Sequence, residues 1–331
     1  MNPPPDIRVI INPASASRRT LRRIPAIIDA FERRLPGRCA FTVTERPGDA
    51  HRLAAQAVLD SCSRIVAVGG DGTVNEAVNG MMSAVNGRVP PPALGVITSG
   101  SGQGFALSLH IPGALDEQVR LIAQSPSGMI DIGSVSAQGP HGERCSRYFV
   151  NECQIGIGAD VVRRAGGAAK SAGGLIGYGI ATLISIFRSP NAELSLVLDD
   201  CELPRSNVLG LAVGNGALTA GGMALTPGAR PDDGVLNLLT IDGLPLSRRL
   251  RSFPRIYTGA HIGTRGFSYR VMKQCSVSGL VPLPVAADGE MTGVLPCTIA
   301  IHEGALRVIA PVQFWDDANE STEYRFAQAR V

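Results

Sequence analysis

Hydrophobic and polar positions follow two different patterns along the chain. In residues 7–109, short apolar runs alternate with amphipathic stretches, which predicts strands followed by helices. The predicted strands are 7–11, 39–44, 64–68 and 93–97, and the predicted helices are 21–34, 49–59 and 73–82. This alternation is typical of an α/β domain with an open parallel sheet and helices on its faces.

After about residue 129 the pattern changes to short β-like runs separated by Gly, Pro and Asp turns. The predicted strands include 193–198, 208–213, 235–241, 271–278, 298–301 and 306–309. Such spacing indicates a mostly β sandwich or barrel-like domain. An apolar helix predicted over 175–187 interrupts it. We therefore predict a first domain over residues 1–129, a second over 130–315, and a tail over 316–331 that packs back on the first.

Composition and charge narrow the function classes. The 331 residues suffice for two domains of ordinary size, and the net charge is only +3. The basic residues are mostly scattered arginines, so we expect no nucleic-acid partner. Seven cysteines without a C-x-x-C pair predict reduced, buried thiols. The N-terminus lacks a signal-peptide pattern and 175–187 is too short to cross a bilayer, so we expect a cytoplasmic protein.

The strongest chemical signal is a Gly-rich turn between the predicted strand 64–68 and the helix that follows. It reads Gly69-Gly70-Asp71-Gly72-Thr73. Glycines let backbone N–H groups approach phosphate oxygens, and a helix N-terminus favours anions. Asp71 would repel bare phosphate, which predicts Mg²⁺ between them. The alternative is structural, because Thr73 and Glu76 also fit a capping box.

A second Gly-rich turn over 98–104 follows the next predicted strand. Two consecutive βα turns at strand carboxyl ends would line one ligand-binding crevice. The chain has no Walker A loop, no complete G-x-G-x-x-G and no G-x-S-x-G elbow, which excludes P-loop NTPases and serine hydrolases of those types.

With these motifs in view, the sequence resembles the diacylglycerol kinase catalytic-domain superfamily. That superfamily includes bacterial diacylglycerol kinases, sphingosine kinases and ceramide kinases, and is distantly related to NAD kinases. The elements that carry the resemblance stand in family order at 11–15, 69–80, 100–106, 131–133, 151–156, 214–216, 221–222, 227–234 and 288–290. The resemblance covers nearly the whole chain.

The resemblance implies a site, residue by residue. The nucleotide contacts would be Asn12, Pro13, Ala14, Ser15, Ala16, Thr44, Gly69, Gly70, Asp71, Gly72, Thr73, Asn75, Glu76 and Ser101. An acidic pair, Asp288 and Glu290, would supply the catalytic base. Asp71 and Asp131 would hold Mg²⁺, and a structural metal would bind Asp233 with the backbones of Arg230 and Val235.

Two features of the sequence leave parts of this implied site undecided. Bacterial diacylglycerol kinases typically carry Asp in the second loop, where this chain has Gln103-Gly104, so its Mg²⁺ would depend more on Asp71 and Asp131. Asp288-Gly289-Glu290 would place both carboxylates on one side of a strand. The same tripeptide is also a common hairpin turn.

The function implied is ATP-dependent phosphorylation of a hydroxyl on a lipid presented at a membrane surface. ATP and Mg²⁺ would bind the first domain, and ceramide, a sphingoid base or diacylglycerol the second. The protein would associate peripherally with the inner face of the membrane, and a homodimer stays open. The apolar helix 175–187 either contacts lipid or packs as core. The alternatives are a soluble-metabolite kinase related to NAD kinase and a non-catalytic nucleotide or lipid sensor.

Overall fold

The computed structural model describes residues 5–85, 91–99, 103–166, 174–219 and 222–320. The chain forms two compact units, one made of Met1–Ile130 with Gly304–Val331 and the other of Asp131–Glu303. The chain leaves the first unit within one strand and returns to it within another. The return begins at Gly304, whereas the sequence pattern placed residues up to 315 in the second domain.

The first unit is an α/β layer built on a parallel sheet. Its elements are β1 (Ile7–Ile11), α1 (Arg19–Arg34), β2 (Cys39–Val43), α2 (Asp49–Leu59), β3 (Arg64–Gly69), α3 (Asp71–Ala84), β4 (Ala93–Thr98), α4 (Gly104–Ser108), α5 (Leu115–Gln124) and the start of β5 (Ser127–Gln138). The strand order is β2-β1-β3-β4, all parallel. The central strands are mostly apolar and buried on both faces, as is typical of parallel strands between helix layers, and Arg8 and Arg64 are their half-buried exceptions.

The end of the chain completes this sheet. The last part of β15 (Glu290–Ile309) pairs parallel with β4, with Val308 opposite Leu94. The helix α9 (Val312–Glu320) follows, and its Phe314 is buried. A Cβ on Gly128 would lie 2.6 Å from the Trp315 ring, so this ring packs directly against the Gly128 backbone.

The second unit is mostly antiparallel β-structure, which confirms the predicted sandwich. Its elements are β6 (Arg144–Phe149), β7 (Glu152–Gly156), α6 (Ile157–Ala165), α7 (Gly174–Arg188), β8 (Ala192–Leu198), β9 (Cys201–Glu202), β10 (Ser206–Gly214), β11 (Leu236–Asp242), α8 (Leu246–Thr258), β12 (Phe267–Met272), β13 (Gln274–Gly279) and β14 (Pro284–Ala287). Five strands pair side by side in the order β12-β11-β10-β7-β14. Strands β8 and β13 are not in this row; they pair with each other, and β8 also pairs with β10. Apolar side chains from both sets share one core.

Helix α7 includes the whole range 175–187 for which the sequence predicts an apolar helix. Ala181, Ser185 and Ile186 are buried, while Leu183 and Phe187 are more than half exposed. The helix therefore packs through one side only. Among the described residues, no helix has the length and apolar character needed to span a membrane.

Candidate active site

The loop after β1 is fastened to the Gly-rich loop after β3. Asn12 Nδ2 donates to Thr73 Oγ1 at 2.9 Å, and the Asn12 backbone N–H donates to the Val68 carbonyl at 3.0 Å. Asn12 Oδ1 accepts from the Ala14 N–H at 3.0 Å, and Pro13 lies between them. One amide side chain thus orders both loops, at the strand ends where open α/β sheets bind ligands.

The turn Ser15–Arg18 holds an unusual backbone. Residues 16–18 have consecutive positive φ values of 54°, 55° and 67°. The left-handed conformation costs non-glycine residues about 1–2 kcal/mol each. Ser15 Oγ donates to the Asn12 carbonyl at 2.8 Å and lies 2.6 Å from the Thr20 hydroxyl, which also contacts the Ser99 hydroxyl. This hydroxyl network holds the strained turn in place.

The Gly-rich loop delivers the N-terminus of α3 to the same strand edge. A Cβ on Gly69 would lie 2.3 Å from Thr73 Oγ1, so only glycine fits there. Gly70 is the N-cap and α3 begins at Asp71. A helix start leaves its first backbone N–H groups without helical partners, and here these belong to Asp71 and Gly72. They are the groups that would meet phosphate oxygens.

The capping-box alternative for this loop is wrong. Thr73 lies inside the first turn of α3 rather than at its N-cap, and the cap has no side-chain hydrogen bond. Glu76 Oε2 instead accepts from the Gly48 N–H at 3.1 Å, in the loop before α2. The local sequence fitted the box, but the helix starts two residues earlier than predicted.

Asp71 connects the first Gly-rich loop to the second. Its Oδ2 accepts from the Gly104 N–H at 3.1 Å and its Oδ1 from the Phe105 N–H at 3.3 Å. Burial raises the pKa of the Asp71 carboxyl, although the two N–H groups act in the opposite direction. Within the described residues Asp71 forms no ion pair. A half-buried carboxylate fixed by backbone amides is suited to a cation that arrives with a ligand.

The Asp71 site fits Mg²⁺ because it offers a carboxylate ligand. Mg²⁺ often binds one or two carboxylates and takes its other ligands from water and substrate phosphates. In the described part of the chain, no three His, Cys, Asp or Glu side chains gather as a metal-ligand group. Asp71 is therefore the residue that would hold the ion. The predicted nucleotide contact Ser101 lies outside the described residues.

Two other predicted nucleotide contacts are buried. The Thr44 N–H donates to the Ile11 carbonyl at 2.9 Å, which fixes the chain after β2 at the same strand edge. Asn75 is fully buried in α3, where its Oδ1 accepts from Asn79 Nδ2 at 3.2 Å. Nucleotide contact through Thr44 and Asn75 stays a prediction.

In the second unit, Asp288 and Gly289 form a two-residue turn between β14 and β15. Ala287 pairs with Glu290 across this turn, and φ is 46° at Asp288 and 78° at Gly289. The prediction that both carboxylates share one side of a strand is therefore wrong, and the hairpin alternative describes the backbone. Positive φ at both central positions is the type I′ turn, one of the two turn types that two-residue β-hairpins favour.

The two carboxylates of this turn have different surroundings. Asp288 is buried and accepts from the N–H groups of Val150, Asn151 and Glu152 at 2.8, 3.0 and 2.9 Å. Its own N–H donates to the Glu152 carbonyl at 2.9 Å. Glu290 is exposed at the start of β15. Asp288 thus anchors the 150–152 turn, and Glu290 faces solvent.

Asp131 lies in the second unit, against the turn that carries the predicted structural metal ligands. Its N–H donates to the Pro231 carbonyl at 2.6 Å and its Oδ2 accepts from the Gly234 N–H at 2.7 Å. Asp233 Oδ1 accepts from the Val235 N–H at 3.2 Å. Hydrogen bonds between protein groups thus order this turn, and a structural metal bound by Asp233 with the backbones of Arg230 and Val235 stays a prediction.

Arg230 is also engaged within the turn 230–235. Its guanidinium forms a two-point ion pair with Asp232, at 2.9 and 3.1 Å. Whether the Arg230 carbonyl binds a metal stays a prediction from the resemblance.

Sequence reasoning missed Asn215. It is fully buried, and its Nδ2 donates to the carbonyls of Asp131 and Val150, both at 2.9 Å. Asn215 therefore joins the Asp131 segment to the turn that Asp288 anchors. Segments 151–156 and 214–216 are both among those that carry the family resemblance. Neither segment by itself indicates that Asn215 connects two distant parts of the chain.

Comparison with known proteins gives consistent matches along the chain. Residues 6–135 match the family described as the diacylglycerol kinase catalytic domain, and residues 152–310 match the YegS C-terminal NAD kinase β-sandwich-like domain. A diacylglycerol kinase of Staphylococcus saprophyticus is 28% identical over 304 residues, covering 92% of this chain and 95% of that protein. A diacylglycerol kinase of Staphylococcus carnosus is 26% identical over 304 residues, covering 92% and 94%.

Solved structures show the same fold. A diacylglycerol kinase structure from Bacillus anthracis has a TM-score of 0.68 at 18% identity and covers 93% of this chain and 97% of its own. The yeast NADH kinase complexed with NADH has a TM-score of 0.55 at 11% identity and covers 100% and 91%. Fold and matches define the class, a kinase that acts on an alcohol group. The chain belongs to the diacylglycerol kinase catalytic-domain superfamily, and that membership implies use of ATP.

Proposed function

We propose that this protein transfers the γ-phosphoryl group of ATP to a hydroxyl of a membrane lipid. The observation that carries the proposal is Asp71, a half-buried carboxylate at the start of α3 that the N–H groups of Gly104 and Phe105 hold in place. The names of the relatives make diacylglycerol the first acceptor to test. Bacterial diacylglycerol kinases typically carry Asp where this chain has Gly104. Ceramide and sphingoid bases are therefore tested as acceptors too.

The first unit would bind the nucleotide. Phosphoryl transfer requires positioning and charge neutralisation more than covalent chemistry from the protein. The free N–H groups at the start of α3 would hold phosphate oxygens, and Asn12 would keep the two loops in register. Mg²⁺, held by Asp71, would neutralise charge on the β- and γ-phosphates.

The second unit would bind the lipid and remove its proton. Glu290 is exposed and therefore able to meet a hydroxyl, so we assign it the role of general base. Asp288 would be a positioning residue, because both of its oxygens accept from the backbone of the 150–152 turn.

The decisive experiment supplies labelled ATP and Mg²⁺ to the purified full chain with a panel of acceptors. The panel contains diacylglycerol, ceramide and sphingosine in mixed micelles, and NAD in buffer. We expect at least one lipid to be labelled. Asp71→Asn should abolish labelling, whereas Asp242→Asn, an exposed aspartate on β11, should leave it unchanged.

Labelled NAD without any labelled lipid would replace the proposal by the soluble-metabolite alternative. ATP binding without labelling of any acceptor would favour a sensor. Full activity of the Asp71→Asn variant would remove the proposed metal site.

A further inference from the structure

Strand register brings three exposed segments of the second unit to one end of its strands. Val208 of β10 lies opposite both Ala192, where β8 begins, and Asp242, where β11 ends. Leu194 lies opposite Gly279, where β13 ends. The helix α7 leads into β8, α8 follows β11, and the tip 280–281 follows β13. These segments are therefore neighbours.

Helix α7 presents an exposed apolar stripe. Its exposed side chains follow the spacing i, i+3, i+4, i+7, which places them on one helical face. They are Ile180, Leu183, Ile184 and Phe187. At the strand end that this helix approaches, Leu280 is 93% exposed. At its other end, the Tyr178 hydroxyl lies 3.7 Å from a Cβ built on Gly289, so the stripe begins beside the Asp288 turn.

Helix α8 adds positive charge to this apolar stripe. Arg248, Arg251 and Arg255 are exposed along it. Arg249 instead joins the two helices, because its guanidinium donates to the Ile186 carbonyl at 3.0 Å and the Ser189 carbonyl at 2.8 Å.

The charged side chains in the α7 and α8 segments are all positive. Residues 174–191 and 243–266 contain no acidic side chain. The exposed Glu193 and Asp242 stand just outside them. We call the α7 stripe, the α8 arginines and Leu280 the docking face.

We propose that the docking face binds the surface of a lipid bilayer that contains anionic phospholipids. The apolar side chains would enter the interface and the arginines would contact headgroup phosphates. A second copy of the chain fits this face less well, since an isologous dimer would bring two sets of arginines together. The inference deepens the proposed function, because the acceptor would be drawn from that bilayer beside the Glu290 turn.

Sedimentation of the full chain with vesicles tests the docking face. Vesicles of phosphatidylcholine are compared with vesicles that also contain phosphatidylglycerol. We expect binding only to the anionic vesicles, and weaker binding at high salt. Arg248→Gln/Arg251→Gln/Arg255→Gln should weaken binding roughly 10–100-fold, since each arginine near such a surface contributes. Leu183→Ser/Phe187→Ser/Leu280→Ser should weaken it at least tenfold.

The matched control removes three exposed arginines elsewhere, Arg34→Gln/Arg120→Gln/Arg144→Gln. Equal loss of binding in the control would overturn the proposal, because net charge alone would then explain it. Unchanged binding in either docking-face variant would overturn it as well. So would a docking-face variant that changes the oligomeric state by light scattering and leaves vesicle binding intact.

A water-soluble short-chain diacylglycerol separates this inference from the proposed function. The docking-face variants should phosphorylate it at the wild-type rate, while losing activity on long-chain acceptor in anionic vesicles. Equal loss on both acceptors would overturn the docking face. Absence of lipid phosphorylation in the wild type would refute the proposed function, yet vesicle binding would still report on the docking face.

Discussion

Asp288 and Glu290 are separated by one glycine, yet their side chains have different roles. Asp288 anchors the 150–152 turn, and Glu290 is the proposed general base. Replacing Asp288 by Asn puts an amide N–H group against backbone N–H groups in a buried turn. We expect Asp288→Asn to lower the free energy of unfolding by roughly 2–4 kcal/mol. We expect Glu290→Gln to leave stability unchanged and to lower kcat by about 10²–10⁴-fold. Thermal unfolding and steady-state kinetics measure the two effects.

Binding of ATP serves as the control for both variants, since neither residue belongs to the proposed nucleotide site. An Asp288→Asn protein that unfolds at the wild-type temperature would contradict the anchoring role. A fully active Glu290→Gln protein would contradict its assignment as the base.

His261 gives the protein a pH-dependent contribution to stability. It is fully buried, and its Nε2 lies 3.1 Å from the Leu225 carbonyl oxygen. Burial lowers the pKa of His261 below its ordinary value of 6.5. The unfolded chain therefore binds this proton more readily than the folded one, so stability falls as the pH drops below about 6.5. Chemical denaturation between pH 8 and pH 5 should show this fall.

The matched variant is His261→Gln, which can still donate to the Leu225 carbonyl. It should reduce the pH dependence between pH 8 and pH 5. His302 has a pKa lowered in the same direction by burial, so it leaves a residual slope. An unchanged slope in His261→Gln would show that this imidazole is not responsible.

At the scale of elements, the contact between α2 and α3 depends on one missing side chain. A Cβ on Gly80 would lie 2.0 Å from the His51 carbonyl oxygen. Gly80→Ala should therefore separate the two helices and cost about 1–3 kcal/mol of unfolding free energy. Helix α3 also carries Asp71, so ATP affinity should fall too.

The control is Gly179→Ala in α7, where nothing lies within 4 Å of the added Cβ. That change should stabilise the protein by about 0.5–1 kcal/mol, because alanine favours the helix. Chemical denaturation compares the two variants. Equal effects of both would show that the close approach of α2 to α3 is unimportant.

The alternating part of the fold could be predicted from sequence because its signals are local. The bounds of β1 and α2 match their predictions, since apolar runs and amphipathic periods set them. Helix α8 was missed. Its apolar residues Leu246, Leu250, Phe253 and Tyr257 do repeat at helical spacing. Pro254, however, lies inside the helix, and proline normally ends a helix, so the local signal was mixed.

The candidate site could be predicted only in part. The Gly-rich loop 69–73 carries its own local signature, and the resemblance extended it to the two carboxylates of the second unit. The contacts that divide their roles are not local. Asp288 binds N–H groups more than 130 positions earlier in the chain, at 150–152. Such pairings depend on the tertiary structure and leave no pattern in the segment itself.

At the scale of the whole molecule, the first unit consists of two stretches of chain. Arg307 Nε donates to Ser127 Oγ at 2.8 Å, and β15 pairs with β4. A fragment of residues 1–130 should therefore fail to unfold cooperatively. Joining residues 304–320 to it through a flexible linker should restore a transition, as followed by circular dichroism. A cooperative transition in the shorter fragment would show that the return segment is dispensable.

This return segment also affects how the protein is made. The second unit contributes 173 residues (131 to 303) between the two stretches of the first. At about 5–20 residues per second, a ribosome needs roughly 10–35 seconds to synthesise them. During that interval β4, which is buried throughout in the finished protein, has no partner on one edge. An unpaired apolar edge strand favours aggregation. The nascent chain should thus be most vulnerable after the first unit has left the ribosome and before β15 emerges.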